Sequence, residues 1–229
     1  MPYKTNGIII MGLNYRESAG KIYLTVSNGK LVRQFKEANE NTVSRVNKNG
    51  KTVHENFPTD VTGYISNIEV KDGEYGNQWI ISLIDGTDSF SIQLDYSSRY
   101  SSSFLKALPN LTPGLPVKIR PWQMADKNNP TKLISGITLY QNDGNGFVKI
   151  PPAYTKEEPN GLPEMKSFKL KEKGKDVVKW DDSERMQFLE NMALNEMLPK
   201  IKASSPQVVD KPVDAISEAF GEPTEEAPF

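Results

Sequence analysis

Between Asp60 and Gln141 the chain interleaves rings and cations. Tyr64, Tyr75, Trp79, Tyr96, Tyr100, Trp122 and Tyr140 supply flat aromatic faces, and Arg99, Lys106, Lys118, Arg120, Lys127 and Lys132 supply positive charge. Together such groups can hold a single nucleic-acid strand. Each base stacks on a ring for ~1–3 kcal/mol while the cations follow the phosphates. Arg99-Tyr100 and Arg120-Pro121-Trp122 set charge beside ring at element boundaries, where a ring is less readily swallowed by a core. Trp122, in polar sequence before Gln123, is read as exposed, and Tyr64, beside Gly63, is read on the binding face. Trp79 suits core packing and base stacking equally well, because tryptophan is highly buried on average. Upstream, Arg45, Lys48 and Lys51 surround Asn49-Gly50, a turn that either holds phosphates or is simply solvated. The candidate contacts are therefore Tyr64, Trp79, Arg99, Tyr100, Lys118, Arg120, Trp122 and Lys132, with Arg45 and Lys48.

Other chemistries find little support. The chain has no cysteine, so it has neither a disulfide frame nor a thiolate metal site. The single histidine, His54, cannot build a zinc site or a histidine-based triad alone. Asp85, Asp88 and Asp95 gather around one hairpin and suggest a two-metal nuclease, but Asp85-Gly86 reads as a turn and no matching carboxylates follow. No phosphate-binding glycine loop of the G-x-x-x-x-G-K-[ST] kind is present. The expectation is a binding protein without enzymatic activity, cofactor or metal. No stretch is long and apolar enough to span a bilayer, and no signal peptide is visible. A cytoplasmic protein without membrane contact is expected.

Five short strands must position these groups. Val61–Val70, Trp79–Ile84 and Phe90–Leu94 alternate or run apolar between Asp-Gly turns, the pattern of half-buried strands in hairpins. Ser97 to Leu108 places Tyr100, Phe104, Leu105 and Leu108 at helical spacing, and Pro109 and Pro113 end it. Val117–Arg120 and Leu133–Tyr140 complete the set. Three meandering strands, a helix and a hairpin give the order of an OB-fold, a mainly β, five-stranded Greek-key barrel that commonly binds oligonucleotides.

Around this core of residues 60–150 the chain divides into further segments. Residues 1–59 read as a β elaboration packed on the barrel, with a strand near Gly7–Met11, a hairpin at Ser27-Asn28-Gly29 and a hairpin or loop over 36–58. Phe147–Ile150 is one more strand. Residues 151–180 read as a Pro- and Lys-rich linker. Residues 181–202 form an amphipathic helix opened by Asp181-Asp-Ser-Glu184 and stopped before Pro199. Its apolar face packs on the barrel, on another subunit or in a partner's groove. Residues 203–229 read as a disordered acidic tail. Six acids against one lysine give that tail −5, whereas the rest of the chain, with 27 bases and 23 acids, carries +4. Such asymmetry suits a polyanion partner, although a merely solvating tail has the same charge.

The chain closes Thr224-Glu225-Glu226-Ala227-Pro228-Phe229. A terminal ring and carboxylate can enter an apolar pocket rimmed by arginine or lysine while the acids steer the encounter. This ending resembles that of bacterial single-stranded-DNA-binding proteins. The body, with Gly63, Trp79–Leu83 and Phe104-Leu-Lys-Ala-Leu-Pro109, is similar to the replicative single-stranded-DNA-binding proteins of tailed phages. The resemblance implies an OB-fold that protects DNA during replication, recombination and repair in a host bacterial cytoplasm. It also implies that Glu225, Glu226, Pro228 and Phe229 recruit replication or recombination proteins. The bacterial proteins have a shorter body and a longer Gly/Gln-rich linker, so their tetrameric state does not carry over and the oligomeric state stays open. An OB-fold that binds only protein, or an RNA-binding protein, are the alternatives. Removing Ala203 to Phe229 is expected to tighten DNA binding at low salt in a gel shift, because the acids compete for the cationic surface; weaker binding would contradict that role.

Overall fold

The computed structural model describes residues 21–73, 76–172 and 175–205. The strand expected near Gly7–Met11, Tyr75, and the tail residues Glu225, Glu226, Pro228 and Phe229 lie outside them.

Strands β1 (Lys21–Ser27) and β2 (Lys30–Phe35) form the expected hairpin. Its turn residues Asn28 and Gly29 have φ of 50° and 75°, the paired positive values of a turn that matches strand twist. Strands β3 (Val43–Val46) and β4 (Thr52–Asn56) make a second hairpin across Asn49-Gly50. Next come β5 (Val61–Lys71), β6 (Gln78–Asp85) and β7 (Asp88–Asp95), as their alternation requires. Helix α1 (Arg99–Ala107) starts at Ser98, whose hydroxyl accepts from the Ser101 amide at 3.1 Å. Strands β8 (Val117–Ala125), β9 (Leu133–Asn142) and β10 (Phe147–Lys149) follow.

These ten strands form one sheet in the order β10-β9-β8-β5-β6-β7-β1-β2-β4-β3. The sequence predicts a closed barrel over residues 60–141, but the sheet is open. A strand has two edges, and those of β7 are both occupied. β6 holds one, and β1 pairs in parallel with the other from Lys21↔Ser89 to Thr25↔Gln93. The amino-terminal strands thus continue the sheet where it would otherwise have met β9. The sheet still curls, so that the β1–β2 turn reaches β8: a Cβ on Gly29 would sit 2.5 Å from the Gln123 amide nitrogen. The Gly29 amide also donates to the Tyr100 hydroxyl at 2.8 Å.

β8 runs well past its expected end at Arg120 and includes Pro121 and Trp122. β5 pairs only with Val117–Ile119, so beyond that point β8 is an edge on that side, where a missing N–H breaks no ladder. The supposed linker is also regular in its second half. There β11 (Lys166–Glu172) and β12 (Lys175–Asp181) pair as a separate two-stranded ribbon.

Helix α2 (Ser183–Asn191) continues through a π-helical turn, Met192–Met197, into α3 (Leu198–Ser204). The predicted stop at Pro199 does not occur. Pro199 falls in the first turn of α3, where its missing donor and fixed φ are tolerated. Met186, Leu189, Ala193 and Met197 are buried in the same apolar core as Ile81, Phe90, Phe104 and Leu139, so the helix packs on its own sheet. The Ser205 hydroxyl donates to the Ile65 carbonyl at 2.9 Å. Residues 203–205 therefore belong to the body, and a tail truncation that spares α3 starts at Pro206.

Two glycines separate backbone strain from contact. Gly29 and Gly50 have nearly equal φ, 75° and 74°, but only Gly29 faces a neighbour within 4 Å. Gly50→Ala is expected to cost ~1–2 kcal/mol in urea unfolding, the left-handed penalty alone. Gly29→Ala is expected to cost clearly more, because β8 backbone must move. Equal costs would mean that the β1–β2 turn does not bear on β8.

Candidate nucleic-acid interface

β10 covers only Tyr140–Asn142 of β9, and among the described residues no strand pairs with the preceding part of that edge. Helix α1 lies along that edge. The Ile137 amide donates to the Ser103 hydroxyl at 2.6 Å, and Arg99 Nη1 donates to the Leu133 carbonyl at 2.7 Å. From the other side the Ile150 amide reaches the Leu139 carbonyl, and the Ala153 amide reaches the Lys106 carbonyl at 2.7 Å. These bonds frame a cleft of about 450 Å³. Arg99, Lys106 and Lys149 give it charge, and Trp122 and Tyr154 give it rings. Ser102, Ser103, Ser135, Thr138 and Thr155 add hydroxyls, and among the described residues no carboxylate lines it, although Glu196 is near enough to the Tyr154 hydroxyl to add to the effect of burial in raising its pKa.

Trp122 is placed by its register partner. It faces Gly136 across β8–β9, and a Cβ there would lie 2.9 Å from indole Cζ2 and 3.1 Å from the Ser103 hydroxyl. Only glycine leaves room for the ring to lie against the strand. Tyr154 meets Phe188 of α2 edge-on at 5.6 Å, which fixes the far wall. Lys106 is half-buried with no ion pair among the described residues. Burial, and secondarily the nearby Arg185, lowers its pKa. A bound anion would stabilise the charged ammonium against both effects.

A second hollow of about 290 Å³ shares Arg99 and Ser135 with this cleft and runs between β9 and the β1–β7 pair. Lys118, Arg120 and Trp122 alternate along one face of β8, opposite Tyr140, Thr138 and Gly136. Lys118 Nζ lies 4.2 Å from the Phe147 ring centroid. The Arg120 guanidinium stands 5.6 Å from the Tyr140 centroid and is paired with Asp60, its Nε donating at 3.0 Å.

A third hollow, about 770 Å³, lies over the amino-terminal strands and includes Lys30, Arg45, Lys48, Glu55 and Phe57. Here Arg45 is not an open phosphate contact. Its Nε and Nη2 donate to Glu55 at 2.6 and 2.7 Å, and Glu55 is only 2% exposed. The hydrogen bonds from Arg45 hold the Glu55 carboxyl below the usual range, against the opposing effect of burial.

The predicted contacts thus do not form one surface. Arg99 and Trp122 share the cleft, whereas Arg45 and Lys48 share a different hollow. Trp79 is 1% exposed and stacked on Tyr96 at 5.7 Å, so it packs the core and offers no free face. Its apolar neighbours Ile80 and Ile81 are buried with it in the central β6 strand. Tyr100 uses its hydroxyl to hold the β1–β2 turn. Tyr64 is half-buried on β5 opposite Ile84, and Lys132 is exposed in the β8–β9 loop. Asp95 pairs with Gln78 at the opposite end of the hairpin from Asp85 and Asp88, so the three aspartates do not converge. Lys149 and Tyr154, which also line the cleft, flank the Pro151-Pro152 pair and carry no local sequence signal for it.

Comparison with protein-family models, curated proteins and solved structures finds no match.

The Arg45–Glu55 pair has a pH signature. A carboxyl whose pKa falls on folding stabilises above its unfolded value, near ~4.3, and that stability is lost as pH drops through the folded value. Urea midpoints of the natural chain should fall more steeply from about pH 5 to pH 3 than those of Glu55→Gln. Arg45→Ala should lower the urea midpoint at neutral pH, because the buried Glu55 carboxylate keeps only the Gln34 amide as a side-chain donor. Parallel pH curves would contradict the pairing.

Proposed function

We propose that this chain binds single-stranded DNA without sequence preference, along the cleft between α1 and the open edge of β9. In this reading it protects exposed strands during replication and recombination, and its acidic tail recruits partner proteins. The observation that carries the proposal is the cleft's composition: three cations, two rings and several hydroxyls, with no acid among the described residues that line it. Cations along a path with rings beside them suit a phosphate backbone with stackable bases, whatever the sequence. The spatial order β9-β8-β5-β6-β7, with α1 between the third and fourth of these in sequence, supports an OB-type core. In that interpretation the closing strand pair is replaced by β1 on β7, and the seam left open serves as the groove.

Trp122 offers a direct readout. In a Trp180→Phe background the remaining tryptophans are Trp122 and the buried Trp79. Oligo-dT should quench the emission, and added salt should reverse it with a log–log slope of about −0.7 per phosphate contacted. Trp122→Ala should weaken binding by ~1–3 kcal/mol, and Arg99→Ala or Lys149→Ala should each flatten the slope. Competition by oligo-U as strong as by oligo-dT would move the assignment to RNA or to nucleic acid in general. Salt-insensitive quenching, or no binding, would contradict the proposal.

A further inference from the structure

The β11–β12 ribbon stands apart from the main sheet and exposes large apolar side chains. Trp180 is 62% exposed, Val178 51%, Phe168 44% and Leu170 41%. The register pairs Ser167 with Trp180, Lys169 with Val178 and Lys171 with Asp176. Directly paired residues share a face. Trp180, Val178, Lys169 and Lys171 therefore lie on one side, with Asp176 at its distal end, and Phe168 and Leu170 lie on the other. Lys169 and Lys171 have no ion pair among the described residues. The ribbon's base is held to α2 by the ion pair of Lys166 with Glu184.

A two-stranded ribbon is only marginally stable by itself in water. An indole exposed on such an element gains little from the core and leaves its ring faces open to a ligand. Charge decides which one. Residues 166–181 contain six lysines against three acids. A second copy of the ribbon would oppose like charge, and lysine-rich strand edges discourage added strands. A polyanion with flat faces meets both features, with its phosphates on the lysines and a base on the indole.

We infer that the β11–β12 ribbon is a second contact for the same single strand, with Trp180 stacking a base and Lys169 and Lys171 facing phosphates. The inference rests on the single-stranded-DNA reading of the cleft and extends its footprint. Lys166 follows Thr155 of the cleft wall by eleven residues, so the ribbon base lies within ~36 Å of the cleft. A strand of sufficient length spans both contacts, and a short one fills only the cleft.

The test uses the full chain and two reporters. Trp122→Phe leaves Trp180 visible over buried Trp79, and Trp180→Phe leaves Trp122. Each is titrated with oligo-dT of about 6 and about 30 nucleotides, lengths chosen below and above the usual footprint of one such domain. Both lengths should quench Trp122, but only the long one should quench Trp180. Trp180→Ala should weaken binding of the long oligomer by about 5- to 150-fold and leave the short one unchanged. Lys169→Ala with Lys171→Ala should reduce the salt slope of the long oligomer by about 1.4. Quenching of Trp122 with Trp180 unmoved at saturation would overturn the ribbon contact and leave the cleft reading standing. Absence of binding in both reporters would overturn the cleft reading and the ribbon contact together. A dimer in sedimentation that Trp180→Ala dissociates, with DNA affinity unchanged, would assign the ribbon to a second copy and overturn the inference.

Discussion

The parallel pairing of β1 with β7 governs this architecture. It occupies the edge of β7 that β6 leaves free, and the curled sheet stays open. Everything attributed to the cleft follows from that. The β9 edge must satisfy its backbone in another way, and it does so through Ser103, Ile150 and the start of α1. Because these substitutes are side chains and an irregular segment, they leave space between them that a paired strand would have filled. The type I′ turn of the β1–β2 hairpin then sets the curl, bearing on β8 beside Trp122 and tied to Tyr100.

Charge within the body is arranged in two ways. Arg45 and Arg120 are held by Glu55 and Asp60, and these pairs fix strands and tie down guanidinium groups that sequence alone shows as free. Lys106, Arg99 and Lys149 face a hollow with no acid among its described lining residues. Sequence spacing cannot separate the two sets, because the neutralising acids lie ten residues away for Arg45 and sixty for Arg120.

The periodic parts of the fold were legible. The strands now called β5, β6, β7 and β9, the α1 helix and the Asn-Gly hairpin follow from alternation, capping and turn residues, which are local signals. Barrel closure was not legible, because it depends on which strand takes a distant edge. Pro121 inside β8 and Pro199 inside a helix defied the usual rule, since an unpaired strand side and a helix first turn both spare the missing donor. The lysine-rich ribbon reads as a linker in sequence because few apolar residues mark it until Val177. Of the candidate site, Arg99 and Trp122 were recognisable from the pairing of charge with ring. Trp79 was ambiguous by nature, and Lys149 and Tyr154 were hidden behind a Pro-Pro pair that marks the cleft wall and not a domain boundary.

On the proposed function, the bound strand follows the seam left open between α1 and β9. Amide chemical shifts of the full chain, followed as oligo-dT is added, test it most directly. The largest changes should fall at Ser102–Ser103, Ser135–Thr138 and Lys149–Thr155, with β3 and β4 unmoved. Changes confined to the hollow around Lys30, Lys48 and Phe57, with the α1–β9 seam silent, would contradict it.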